Sequence, residues 1–461
     1  MTFQATGYVT DVPYTWYFAR ELAPAWLDLV AVVAGFEPPP REGGFAWCDL
    51  GCGHGLTPTI LAATHPRGRF CGIDFNAAHI ESAKRFATEC EIENVEFHHA
   101  DFSTAVESVS GSFDYIVSHG VYSWVDKQSQ NALLSFIDRH LNPGGLVYVS
   151  YYAMPGRAAD LPFQRLVRAL GLTLSGDSAQ RCASAIEIVN TLTELKAPAL
   201  ISSPMAAGLK KHPAENNLGY LPHEYMSENW DPLCVTDVRA AMRGVGLDPV
   251  GSAKLMENFD SFVLGQTART TLAAIADADA RELARDFLIN QSFRRDVFVR
   301  RPRALSENSR RSRLLAASFA LTRPANMVEY ARKTPAGDLR YDNAVARTIV
   351  GALAHGPRPL AGICAEFALA PDDVLPNALV LSAAGAIRPV EPGQLSVRNL
   401  NEAVGRRWGG AEEIRFLALS CGTALPINDE LLALATGGET KKADDGGEWQ
   451  DFLAAYGARP S

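Results

Sequence analysis

The chain has 461 residues, too many for one hydrophobic core, so two or three domains are expected. An apolar fraction of 47% and a charged fraction of 21% are ordinary for a globular protein, and a net charge of −9 speaks against a dedicated nucleic-acid binder. No run reaches the roughly 18 apolar residues of a membrane-spanning helix. MTFQATGYVTDVPYTWYFAR lacks the pattern of a secretory signal, and the eight cysteines are scattered without a CxxC pair, which points to a reduced, cytoplasmic protein with no metal site.

From Phe45 to about Tyr152, short apolar runs alternate with helical patterns. FAWCDL, RFCGIDF, VEFHHADF, FDYIVSHG and GLVYVSYY read as strands; LTPTILAATH, AAHIESAKRFATEC and SQNALLSFIDRHL read as helices. Such alternation specifies an α/β fold, a parallel sheet with helices on both faces. Gly156 to Gly219 is mainly helical (FQRLVRALGL, AQRCASAIEIVNTLTELK) and reads as an insertion, serving either as a substrate lid or as the arm of a homodimer. DVRAAMRGVG and LDPVGSAKLM then supply one more helix and strand, closing the sheet by about Gly265.

From Ala268 onward the pattern is helical and then Arg-rich. Between Arg281 and Arg313 stand ten arginines and no lysine against four acids, either a solvated face or a docking surface for an acidic partner. Asp342 to Val390 carries three short helical patterns and then AIRPV, the order of a winged-helix-like unit, though without a basic recognition helix. ATGGETKKADDGGEW reads as a polar loop. The expected units are therefore 1–156, a nucleotide-type core; 157–219, the insertion; 220–267, the end of the core; 268–340, a helical domain; and 341–461, a C-terminal domain.

The strongest chemical signal is Asp49-Leu50-Gly51-Cys52-Gly53-His54-Gly55, between an apolar strand and a helical run. Its GxGxG spacing differs from the GxGxxG of pyrophosphate-binding folds. Glycines let the chain turn tightly and bring its backbone against a ligand. The acid ahead of them suits a cofactor with a cationic ammonium and sulfonium and would repel a diphosphate. Asp74 ends the second strand about twenty residues on, where an acid can accept from both ribose hydroxyls, with Phe75 beside the adenine. Asp101 ends the third strand, placed for the adenine amino group, with Phe102 on the ring. At the fourth strand end, His119-Gly120-Val121-Tyr122-Ser123-Trp124 offers His119 and Tyr122 as candidate general bases; Tyr122 and Trp124 are either core packing or walls of an acceptor pocket. Tyr151 and Tyr152 join them from the fifth strand.

At these residues the chain resembles bacterial methyltransferases that carry a methyltransferase regulatory domain. The glycine motif with GIDFN, SHGVYSWV and NPGGLVYVSYYAMPG carries the resemblance, together with VPYTWYF, PAWLDLVAVVAGFEPP, His223-Glu224-Tyr225 and FRRDVFVR. It implies a Rossmann-like seven-stranded methyltransferase sheet followed by mainly helical C-terminal domains, and S-adenosyl-L-methionine as cofactor. Asp49, Gly51, Gly53, Gly55, Asp74 and Asp101 carry over as cofactor residues. Family members often have an acid where His54 stands. Because some members methylate lysines of bacterial surface proteins, a protein lysine is the expected acceptor. A small-molecule O- or N-methyltransferase and a cofactor-sensing module without turnover are the alternatives. A nucleic-acid substrate is not expected, since the fourth strand end has no Asp/Asn-Pro-Pro-aromatic string.

Overall fold

The structure is a computed structural model that describes residues 7–201, 203–211, 219–391, 396–410, 412–436 and 446–458. Seven strands make the main sheet: β1 Phe45–Leu50, β2 Gly68–Asp74, β3 Val95–His99, β4 Phe113–Ser118, β5 Leu141–Tyr152, β6 Leu247–Ser252 and β7 Phe293–Arg300. Their order is β3-β2-β1-β4-β5-β7-β6, with β1 to β5 parallel and β7 antiparallel to both of its neighbours. This is the Rossmann-like methyltransferase sheet.

Alternation along each strand divides the core between the two faces. Trp47, Tyr115, Tyr148, Val297 and Val299 pack on one face, beneath α1 (Pro24–Val33) and α2 (Leu56–Thr64). Cys48, Ile116, Val147, Val149 and Phe298 pack on the other, against Leu133, Phe136 and Ile137. Helices α3 (Ala77–Glu89), α4 (Phe102–Ser108) and α5 (Lys127–His140) each start at a side-chain cap on a strand-to-helix turn: Asn76, Asp101 and Asp126 accept the free N–H groups of the first turn. The insertion forms α6 (Leu161–Gly171) and α7 (Ser178–Glu194) with two short helices, Pro198–Ile201 and Pro204–Lys211. Its apolar side packs around Trp124, Tyr152 and Trp230, so it lies over the carboxyl ends of β4 and β5.

The sheet does not close by Gly265. After β6 the chain makes helices Gln266–Ala273 and Ala278–Ile289 and returns as β7, inserted between β5 and β6. Arginines hid this strand. Arg294 is 3% exposed, and its guanidinium is held by Asp286 at 2.5 Å, Glu282 at 2.8 Å and Asp296 at 2.9 Å. Nor is the Arg-rich segment a free docking surface. Eight of its ten arginines form ion pairs within the chain; Arg295 pairs with Glu21, Arg303 and Arg313 with Glu37, and Arg311 with Asp372.

Beyond this, helices Ala344–Leu353, Leu360–Glu366 and Pro371–Ala384 precede strand Ile387–Val390, the order expected for the C-terminal unit. That strand pairs with Ser318–Leu321, which comes from before the helices and is the middle strand of a three-stranded sheet. The expected polar loop near the C-terminus lies partly outside the described residues, and its last residues begin helix Gly446–Ala455. The eight cysteines are unpaired. Among the described residues no helix is long and apolar enough to cross a membrane. Because removing one partner of a buried ion pair strands the others, Arg294→Ala should cost about 3–5 kcal/mol of stability, read from the shift of the chemical denaturation midpoint.

Candidate active site

The glycine loop is shaped by what each glycine faces. All three have left-handed backbones, with φ of +89° at Gly51, +54° at Gly53 and +70° at Gly55. A Cβ on Gly51 would come within 2.5 Å of Val121, and one on Gly55 within 2.5 Å of the Phe97 ring. Gly55 therefore serves packing and does not line the cavity, in contrast to its expected cofactor role. Nothing lies within 4 Å of a Cβ on Gly53, so that turn of backbone stands open. The loop is tied to β2: Gly51 and Cys52 donate to the Ile73 carbonyl, and the Gly53 N–H donates to Asp74 Oδ2 at 2.9 Å.

The loop borders a cavity of about 530 Å³, within the size range of small-molecule sites. The parallel sheet delivers the strand-end residues together, and Asp49, Gly51, Gly53, Asp74, Phe75, Asp101 and Phe102 all line it. Asp74 also accepts from the Asn76 N–H, and Asp101 caps α4 through the Thr104 N–H. Asp49 is 4% exposed, and its Oδ1 has no hydrogen-bond partner. Burial, and then the charge of Asp74, pushes its carboxyl up to about 8.

Residues 8–19 run across this edge as an irregular strap. His54 holds it: its Nε2 is hydrogen-bonded to the Tyr14 carbonyl at 2.9 Å, and Trp16 stacks on its ring at 4.8 Å. Burial, and then His79, lowers His54 to about 4, so the ring is neutral. At His54 this chain has a clasp for its own N-terminal segment.

The acceptor-side residues divide. His119 and Trp124 line the cavity; Tyr122 and Tyr151 do not. Both of these pack in the core on the opposite face, and the Tyr151 hydroxyl donates to Asp296 at 2.6 Å. Strand alternation gives the physical reason: if Tyr151 points to one face, Tyr152 points to the other, and Tyr152 reaches the cavity. His119 is hydrogen-bonded to the Tyr148 hydroxyl at 2.9 Å, and burial lowers it to about 4. Sequence reasoning gave no role to Tyr8, Tyr14, Tyr17, Tyr220, His223 or Glu224, which also line the cavity. The Tyr-rich start and the His-Glu-Tyr string were the available signals. Glu224 is 3% exposed and accepts from Tyr152 at 2.5 Å, Tyr220 at 2.8 Å and Trp230 at 3.1 Å.

Residues 42–196 match a methyltransferase domain family, and residues 217–300 match the family described as predicted methyltransferase regulatory domain. An uncharacterized protein of Synechocystis sp. is 31% identical over 93% of this chain and 87% of its own length. The chain belongs to the bacterial S-adenosylmethionine-dependent methyltransferases with this regulatory domain. A trans-aconitate 2-methyltransferase of Azoarcus sp. is 31% identical, over 33% of the methyltransferase described here and 52% of its own length. In fold, the methyltransferase is similar to PKMT2 from Rickettsia typhi in complex with AdoHcy, with a TM-score of 0.71, 20% identity, and coverage of 96% of this chain and 91% of that one.

The cavity's chemistry fits S-adenosylmethionine. The orphaned, buried Asp49 oxygen can accept from an ammonium, and the bare face of Gly53 leaves the loop open to a ligand. Near neutral pH the cofactor-free Asp49 carboxyl is largely protonated, and it must lose that proton to bind a cation. Cofactor binding should therefore release a proton and tighten as pH rises towards about 8, seen by calorimetry in buffers of different ionisation heat; Asp49→Asn should abolish the release. An affinity independent of pH in that window would place the ammonium elsewhere. Gly53→Val should lose cofactor binding while costing only about 1–2 kcal/mol of stability from left-handed strain, measured by calorimetry beside a thermal melt.

Proposed function

We propose that this methyltransferase transfers its methyl group to the amino nitrogen of a protein lysine. The aromatic lining of the cavity carries the reading: Tyr8, Tyr14, Tyr17, Trp124, Tyr152 and Tyr220 surround the space next to the glycine loop. Aromatic faces attract an incoming ammonium, and a desolvated channel favours its neutral, nucleophilic form. The full-length likeness to PKMT2 from Rickettsia typhi, whose name denotes a protein lysine methyltransferase, supports the same acceptor.

In this reading Asp49 holds the cofactor's ammonium, Asp74 its ribose hydroxyls, and Asp101 its adenine amino group, with Phe75 and Phe102 against the ring. When bound, S-adenosylmethionine would supply an electrophilic methyl group on its sulfonium, to be transferred to the acceptor nitrogen with the S–C electron pair left on sulfur. The chain's own residues align the acceptor and exclude water. His119 lines the cavity but is held neutral, with a pKa lowered to about 4, too weak a base to deprotonate an amine of pKa about 10.4. Tyr122 has no access to the cavity.

A carboxylate-bearing small acceptor is the competing reading, because Arg157 and Arg295 also line the cavity. Both already face carboxylates of this chain, Asp160 at 3.2 Å and Glu21 at 3.6 Å, so neither stands ready for another. Incubation with methyl-labelled cofactor and bacterial cell extract should label protein bands that yield methyl-lysine on hydrolysis. Label found only in small molecules would overturn the lysine reading.

A further inference from the structure

Eight acidic residues of the described chain are buried, and most have a basic partner. Glu21 pairs with Arg20 and Arg295, Asp160 with Arg157, Glu257 with Lys254, and Asp286 and Asp296 with Arg294. Among the described residues, Asp49, Asp74 and Glu224 have neither an Arg nor a Lys within ion-pair distance; Asp74 has only His79, at 3.6 Å. All three line the same cavity. Asp49 and Asp74 stand at the glycine loop, where the cofactor is expected. Glu224 lies on helix Leu221–Tyr225, on the wall made by the tyrosines.

Burying a carboxylate without a cation is costly, and here three uncharged donors hold it in place. Tyr152 and Trp230 donate to Oε1 and Tyr220 to Oε2. A carboxylate accepts about four hydrogen bonds, so one site on Oε2 remains. The two phenols stay protonated as donors, because burial and then the charge of Glu224 raise their pKa values well above the ordinary tyrosine range. Aromatic rings flank the group: Tyr152 lies 4.5 Å from Trp124 and 5.0 Å from Trp230, and Tyr14 lies 6.2 Å from Tyr220. Arg157 covers one face of Tyr152 at 4.2 Å; it forms its ion pair with Asp160, and Glu224 also acts on its charge from beyond ion-pair distance.

We propose that Glu224 is the acceptor-binding group of this cavity, taking an organic ammonium of the kind at the end of a lysine side chain. This rests on the reading of the acceptor as an amine. The site left on Oε2 accepts an N–H of the ammonium, and the surrounding aromatic rings attract the cation.

The test uses n-butylammonium chloride and the full chain saturated with S-adenosylhomocysteine. Wild-type protein should bind the cation saturably, and Glu224→Gln should bind it at least about tenfold more weakly, with 1-butanol binding the same in both. Affinity for S-adenosylhomocysteine and the thermal melt report whether the variant is folded. If Glu224→Gln does not fold, Glu224→Asp, which keeps the charge on a shorter arm, should bind the cation between the two extremes. Lysine methylation by Glu224→Gln should fall at neutral pH, where the acceptor arrives as the ammonium. Equal n-butylammonium affinity in wild type and Glu224→Gln, or no saturable binding by wild type, overturns the proposal. The two readings fail separately. Glu224-dependent cation binding with no labelled protein would make the acceptor a small amine and leave this site intact, whereas lysine labelling unchanged in Glu224→Gln would remove the site and keep the lysine reading.

Discussion

Buried carboxyl groups that line one cavity without an arginine or lysine ion-pair partner are the constraint on which the rest of this molecule depends. A buried carboxylate is tolerated only when hydrogen bonds or a cation replace the water it has lost. Elsewhere the chain answers with arginine, as at the Arg294 cluster between β7 and the helix before it. In the cavity it leaves Asp49 and Glu224 to neutral donors or to none. The sulfonium cofactor is a positive ligand that suits such a space.

The accessory parts of the chain line this cavity. The N-terminal strap is clasped to the glycine loop through His54 and brings Tyr8, Tyr14 and Tyr17 to the cavity. Tyr17 also meets Phe416, so the C-terminal half touches the strap from outside. The described residues 219–300 of the segment matched to the regulatory domain are built into the core. It supplies β6 and β7 to the main sheet and Glu224, Phe293 and Arg295 to the cavity wall. Whatever changes the packing of that segment must therefore also move this wall of the cavity.

Much of the cofactor half was legible in the linear order of residues. A strand, a glycine turn and a helix are local features, and an acid at the end of each parallel strand must arrive at the same edge because the strands run the same way. Other features depended on direction. Tyr151 and Tyr152 are neighbours in sequence, yet strand alternation sends one to Asp296 in the core and the other to Glu224 in the cavity. Gly55 looked like Gly53 in the motif, but it is bare for Phe97. Strand β7 escaped notice because its arginines broke the apolar pattern, and only their buried acid partners make that pattern compatible with a sheet interior.

The sequence by itself determined the α/β core, the family and the chemistry at the glycine loop, because each is written in short-range spacing that a parallel sheet converts directly into position. The tertiary structure alone decided the cavity wall away from the glycine loop. Glu224 meets Tyr152 from seventy-two positions away, and the strap's tyrosines come from the other end of the chain. Such contacts are set by how the insertion and the regulatory segment fold back over the strand ends. No local pattern encodes them, since a lone Glu or Tyr in sequence has no sign of what will replace its water.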